Sequence, residues 1–274
     1  MHRSLPAVVV PLRGCVLVCV LVCVLVACDR TALGWPGSED ELARRTRELA
    51  DYKRAHAVDL GERFVKSLDR ERFVARVRAS RVLWLGDRHV DRALHAAWRE
   101  WLAALRSEGV RLAFALEAIG VEDDAAVADH LAGRIDGAEL RERLRTRWPG
   151  SWLEPGDVDA SAYRALIADA RRASEPVVGL EPAPRLPLAQ RDAAIAARVA
   201  ALVRAHPDSV LVVVVGHAHL LGEGDVVARS GSGGLIVAPV LNDALRRARD
   251  ALPLRRDEWF LESDAGVWFP AWLR

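Results

Sequence analysis

Cysteine is missing from almost the whole chain. The 274 residues contain four, Cys15, Cys19, Cys23 and Cys28, all within the first 28 positions. The remainder therefore offers no disulfide framework, no thiolate nucleophile and no cysteine metal site. An excess of one charge is missing too: Lys plus Arg number 39 against 38 Asp plus Glu, so no global field draws the protein toward nucleic acid. Lysine is confined to Lys53 and Lys66, which reads as coding bias without functional weight. Also absent are the Gly-x-Ser-x-Gly elbow, the phosphate-binding Gly-x-x-x-x-Gly-Lys loop and a glycine-rich dinucleotide turn after the first expected strand. These absences argue against a serine hydrolase, a P-loop NTPase and a Rossmann dehydrogenase. The glycine-rich stretch Ser230-Gly231-Ser232-Gly233-Gly234 precedes a strand instead of opening a helix, and reads as a flexible loop.

Long apolar runs are confined to the N-terminus. Arg3 and Arg13 precede a continuous run from Cys15 to Ala27, too short to span a bilayer as a mature helix and suited to a secretory signal. It closes with Leu25-Val26-Ala27-Cys28, which resembles the bacterial lipobox, where the signal is cut before a cysteine that then carries lipid. An ordinary signal peptide and an uncleaved anchor are the other readings. The expected organisation is a signal over 1–28 ending at a lipidated Cys28, a short tether over 29–38, and one domain over 39–274. The expected location is the bacterial cell envelope, membrane-anchored and facing the periplasm or the exterior.

What dominates the rest is Val210 to His219, Val-Leu-Val-Val-Val-Val-Gly-His-Ala-His. Six apolar residues stopped by Gly216 read as a strand buried on both faces, the pattern of a parallel sheet covered by helices. The stretch Arg81-Val82-Leu83-Trp84-Leu85-Gly86-Asp87-Arg88-His89 repeats the design, so Gly-x-x-His occurs twice, each time at a strand end. Leu112 to Leu116 ends in Glu117, and Val177 to Leu180 ends in Glu181. Between these strands, helical periodicity predicts helices over 91–107, 123–131, 136–147, 160–173, 188–206 and 242–251. Residues 62–78 also read as helix, Leu235–Val240 as a last internal strand, and the aromatic tail with Trp259, Phe260, Trp268, Phe269 and Trp272 as an edge hairpin. The fold class is α/β, three layers with a mostly parallel central sheet and the ligand site at the strand carboxyl ends.

If the four strands are parallel neighbours, His89, Glu117, Glu181 and His219 converge on one rim. Histidine supplies a metal ligand or a proton donor and acceptor near neutral pH, so a carboxylate beside it makes either a His/His/Glu metal site or an acid–base pair. Each histidine alone is equally a hydrogen-bonded structural residue. Glu117 has no cationic neighbour in sequence and must find a partner in space; Glu181 has Arg185 nearby. His217 is expected to turn away from His219, since Gly216 breaks the extended backbone. His95 and His130 are expected at the surface or core edge. Arg191-Asp192 reads first as a solvated ion pair. Tyr163 could ligate ferric iron or simply pack its helix. Trp148 to Gly156, with Trp152, reads as a structured loop that forms a pocket wall or caps the core.

Together Gly86-Asp87-Arg88-His89, Leu116-Glu117 and Gly216-His217-Ala218-His219 resemble the Tiki, TraB, erythromycin-esterase and ChaN superfamily, with most likeness to ChaN-like haem-binding uptake lipoproteins. Trp152, Tyr163-Arg164-Ala165-Leu166, the stretch Pro176 to Arg185, and Arg191-Asp192 extend the resemblance in order along the chain. Such sequences usually carry Gly-Glu-x-His and Leu-Glu-Met-Phe, where this chain has Asp87-Arg88 and Ala118-Ile119. The resemblance implies haem or another iron-bearing small molecule in iron uptake, with His219, His89 or Tyr163 near iron and Trp152, Arg185 and Arg191 on the ligand. The alternative it implies is a divalent-metal-dependent hydrolase, with His89, Glu117 and His219 as ligands and Glu181 activating water. The membrane, through the lipid anchor, and a small molecule are the expected partners, and a homodimer is left open.

Overall fold

The computed structural model describes residues 47, 50, 51, 54, 59–147, 153, 159–182, 186–222 and 225–273. Its strands are β1 (Phe64–Asp69), β2 (Val82–Asp87), β3 (Leu112–Gly120), β4 (Val177–Glu181), β5 (Val210–Gly216), β6 (Leu235–Val237), β7 (Glu258–Ser263) and β8 (Val267–Pro270). The helices are α1 (Arg70–Ala79), α2 (Arg92–Ser107), α3 (Asp124–Leu131), α4 (Gly137–Arg147), α5 (Ala160–Arg172), α6 (Leu188–Ala205), α7 (Val226–Ser230) and α8 (Asp243–Asp250). All of these elements lie within the unit Ala50–Arg274. No helix among the described residues is long and apolar enough to cross a membrane.

The strands form one sheet in the order β1-β7-β8-β6-β2-β5-β3-β4. It is the expected mostly parallel, helix-covered sheet: β6, β2, β5, β3 and β4 run parallel, as does the β6–β8 pair, and only β7 pairs antiparallel with its neighbours. The valine run of β5 sits in the middle of the five parallel strands β6-β2-β5-β3-β4 and is buried throughout. Alternation along each strand sends Leu83, Leu85, Phe114, Leu116, Val212 and Val214 into one layer with Trp98, Leu102 and Leu105 of α2. It sends Val82, Trp84, Ala113, Ala115, Val213 and Val215 into the other, with Ile195 and Val199 of α6.

Three expectations are corrected. Residues 64–69 are a strand, not the front of a helix; β1 pairs with β7, and Asp69 caps α1 by accepting a hydrogen bond from the Arg72 amide. Tertiary pairing overrides the local helical spacing here. The aromatic hairpin β7–β8 is not at the edge, because β1 covers it. The glycine-rich loop is held in place: the Trp84 indole donates to the Gly233 carbonyl at 2.8 Å. Gly234, at φ 119°, passes so close to β2 that an added Cβ would lie 2.5 Å from the Val82 oxygen.

Candidate functional site

Register places the chemistry. Asp87 at the end of β2 lies opposite Gly216 at the end of β5, Leu116 pairs with Val214, and Gly120 with Glu181. Asp87, Glu117, Glu181 and Gly216 thus end up at the same rim, as expected of strand carboxyl ends in a parallel sheet. Strand parity then divides them. Asp87 follows Leu83 and Leu85 onto the α2 and α5 side, whereas Glu117 follows Ala113 and Ala115 onto the α6 side. Two polar clusters result, drawing on opposite helical layers and meeting over Gly216.

The first centres on Asp87, 1% exposed. His89 Nδ1 lies 2.6 Å from its Oδ2, His95 Nε2 lies 2.7 Å from its Oδ1, and the Tyr163 hydroxyl donates to Oδ2. Asp159, in front of α5, takes the other side of His95 at 3.3 Å, and its amide donates to the His89 carbonyl at 2.6 Å. Burial opposes ionisation of Asp87, but the hydrogen bonds from His89, His95 and Tyr163 outweigh it and hold the carboxyl below its usual range. Burial likewise opposes a charged His95, yet Asp87 and Asp159 raise its pKa. Tyr163 is pushed well above the usual phenol value, by burial and then by Asp87.

The second cluster centres on Glu117, Arg191 and His219. The Gly216 amide donates to Glu117 Oε2 at 2.6 Å, and Glu117 Oε1 lies 3.4 Å from His219 Nε2 and 3.5 Å from Arg191. Arg191 Nη1 is 3.7 Å from Glu181, and His219 Nδ1 is 2.5 Å from Asp192. Glu117 is held far below its usual range, because the His219 charge and bond, Arg191 and the Gly216 amide outweigh its desolvation. His219 is pushed up to about 9: burial opposes the proton, but Glu117 and Asp192 outweigh burial and the repulsion from Arg191. Arg191 Nη2 stands 2.6 Å from His219 Nε2, and a guanidinium can only donate, so that contact suits a neutral ring. Charge count decides otherwise. Three carboxylates face one guanidinium, and a proton on His219 supplies the second positive charge.

Several sequence-level expectations change. Arg191 and Asp192 are buried members of the site, at 7% and 0% exposure, not a solvated pair. The partner of Glu181 is Arg191; Arg185, Trp152 and Cys28 lie outside the described residues. The expected His89, Glu117 and His219 ligand set is not assembled. A methyl group at Gly216 would lie 3.4 Å from both Glu117 Oε2 and His219 Cδ2 and 3.6 Å from His89 Cε1, but His89 Nδ1 turns to Asp87 and the Arg191 cation fills the space between Glu117 and Glu181. Among the described residues no three His, Cys, Asp or Glu side chains are placed to share an ion. His217 turns away from His219 as expected, facing the Asp87 carbonyl at 3.1 Å. His130 is buried, its Nδ1 3.2 Å from the Ile135 carbonyl.

Sequence reasoning missed His95 and Asp159. His95 falls in the apolar stripe with Trp98, Leu102 and Leu105, at i+3, i+7 and i+10, a signal that it faces inward. Asp159 has no comparable signal.

The fold and site thus define an α/β protein with buried polar clusters at the strand carboxyl ends. Residues 73–188 match the family described as haem-binding uptake, Tiki superfamily, ChaN. Over these residues, which hold the whole Asp87 cluster together with Glu117 and Glu181, the chain is ChaN-like. Among solved structures it is similar to ChaN of Campylobacter jejuni with cofacial haem (12% identity, 63% of this chain and 86% of that one, TM-score 0.44). It is also similar to the type III effector HopBA1 (17%, 78% and 97%, TM-score 0.48). A MARTX toxin effector domain, RRSP of Vibrio vulnificus CMCP6, matches at 18% identity, over 78% of this chain and 39% of that one, with TM-score 0.46. No curated protein matches the chain significantly.

Proposed function

We propose that this protein binds haem at the sheet rim, with His89 as the residue that faces the iron. The carrying observation is the Asp87–His89 pair in the ChaN-like stretch. Donation of Nδ1–H to Asp87 at 2.6 Å fixes the tautomer in which Nε2 bears the lone pair, the arrangement that orients imidazoles toward metals in general. The donor set fits the group on one side only. The His89 side chain is 36% exposed, beside the exposed Val90. Tyr163, 1% exposed, gives its hydroxyl to Asp87, and His219, 5% exposed, has both ring nitrogens facing other side chains. Haem, when bound, would supply the iron chemistry; His89 would hold it through Nε2, and Asp87 would orient that ring.

The finer reading is an envelope lipoprotein in iron uptake, supported by the apolar run before Cys28 and the family match. The divalent-metal hydrolase has no such support, since Arg191 stands where a shared ion would sit. The test is a haemin titration of the full-length protein in detergent. A saturable Soret shift is expected for the wild type, lost or weakened at least tenfold in His89→Ala and retained in His219→Gln. Loss in His219→Gln with retention in His89→Ala would refute the assignment.

A further inference from the structure

We infer that His95, Tyr163 and Asp159 are positioning residues that set the tautomer and donor strength of His89 through Asp87; this rests on His89 being the ligand-facing residue. Three elements converge on one carboxylate. His89 follows β2, His95 comes from α2, and Tyr163 from α5. A buried carboxylate has to be paired and hydrogen-bonded, and Asp87 draws on three side chains from different parts of the chain: His89 at 2.6 Å, His95 at 2.7 Å and the Tyr163 hydroxyl. Two of the three share Oδ2. Donors at one oxygen compete for its charge, so the Tyr163 hydroxyl limits how far Asp87 draws the His89 proton and how anionic the ring becomes. Asp159 acts at both ends, facing His95 Nδ1 at 3.3 Å and holding the His89 carbonyl by its amide at 2.6 Å. Packing alone does not require this. Phe at 163 and Leu at 95 would fill the same core positions, and the histidine in the apolar stripe of α2 adds only polar desolvation unless Asp87 needs it.

The experiment uses the full-length protein in detergent with 15N-labelled histidine, free of haemin, and reads the ring nitrogens of His89, identified by their loss in His89→Ala. The wild type is expected to show His89 protonated at Nδ1, the reverse of what a free histidine side chain prefers. Tyr163→Phe and His95→Leu should shift both ring nitrogens toward the imidazolate range, and His95→Gln, which keeps a donor, should restore the wild-type shifts. In haemin-loaded samples the same two substitutions should move the iron midpoint potential to more negative values, because a more anionic ring favours the ferric state. Should one of the two variants fail to fold, the other and the partly exposed Asp159→Asn decide. Ring shifts that stay at wild-type values in folded variants, or a wild-type His89 protonated at Nε2, would overturn the inference. A wild type that takes up no haemin overturns the haem reading alone, since the spectra of the haem-free protein still decide the positioning.

Discussion

The charge on His219 makes stability fall on the alkaline side of neutrality. Its folded value, about 9, stands above the ordinary value of 6.5. A raised pKa means that the folded state holds the proton more tightly than the unfolded chain, so the stabilisation is complete below pH 6.5 and is lost as pH rises through about 9. At about 1.36 kcal/mol per pH unit, holding the proton from 6.5 up to about 9 is worth on the order of 3 kcal/mol. That is a large share of the ~5–15 kcal/mol by which domains are stable. At 5% exposure the ring has little solvent to screen it. Urea unfolding of the full-length protein at half-unit steps from pH 6 to 9.5, beside His219→Gln, reads this directly. His95, also raised, contributes a fall of the same sign to both proteins, so the difference between the two curves isolates His219. The wild-type stability should fall by about 3 kcal/mol more than that of the variant across the window. Parallel curves would refute the reasoning and show that the Arg191 contact at 2.6 Å, which suits a neutral ring, governs the site instead of the three carboxylates.

Arg191→Met removes the guanidinium that stands 3.5 Å from Glu117 and 3.7 Å from Glu181. Leaving buried carboxylates uncompensated should cost about 3–5 kcal/mol in urea unfolding at pH 7, and a cost under about 1 kcal/mol would show that water already screens the cluster. Gly179→Ala tests the close approach of β3 and β4, where an added Cβ would lie 2.3 Å from the Gly120 oxygen and 2.6 Å from its carbon. Backbone atoms cannot step aside cheaply, so a loss of about 3 kcal/mol or more is expected by thermal unfolding, with an unchanged midpoint as the refuting result.

The sheet was legible because its signals are local and redundant. The valine run of β5 and the leucine-rich β2 are buried on both faces, and unbroken apolarity is what such strands require. Helix ends were legible where a side chain makes the cap, as at Asp91 and Asn242, whose carboxylate and amide oxygens accept from Leu94 and Leu245. Residues 64–69 were not, because Phe64, Val65 and Leu68 suit either element and only the distant β7 selects the strand. The inward burial of His95 was written in the spacing of α2, but its partner Asp87 lies eight residues away across a turn.

The candidate site shows where motif reading stops. Gly-x-x-His occurs twice, and the repetition suggests two equivalent histidines meeting over one ligand. The structure brings both toward Gly216 but gives them different partners, by a rule the sequence contains but does not announce. Asp87 and Glu117 sit at opposite parity along β2 and β3, so their partners are drawn from opposite helical layers, α2 and α5 for one, α6 for the other. His89 and His219 then differ in kind. One is tied to a carboxylate at the rim and keeps 36% of its side chain in solvent; the other is enclosed between Asp192, Glu117 and Arg191. Arg191 and the proton on His219 offset much of the carboxylate charge in the enclosed cluster, which supports placing the proposed ligand on the more exposed His89.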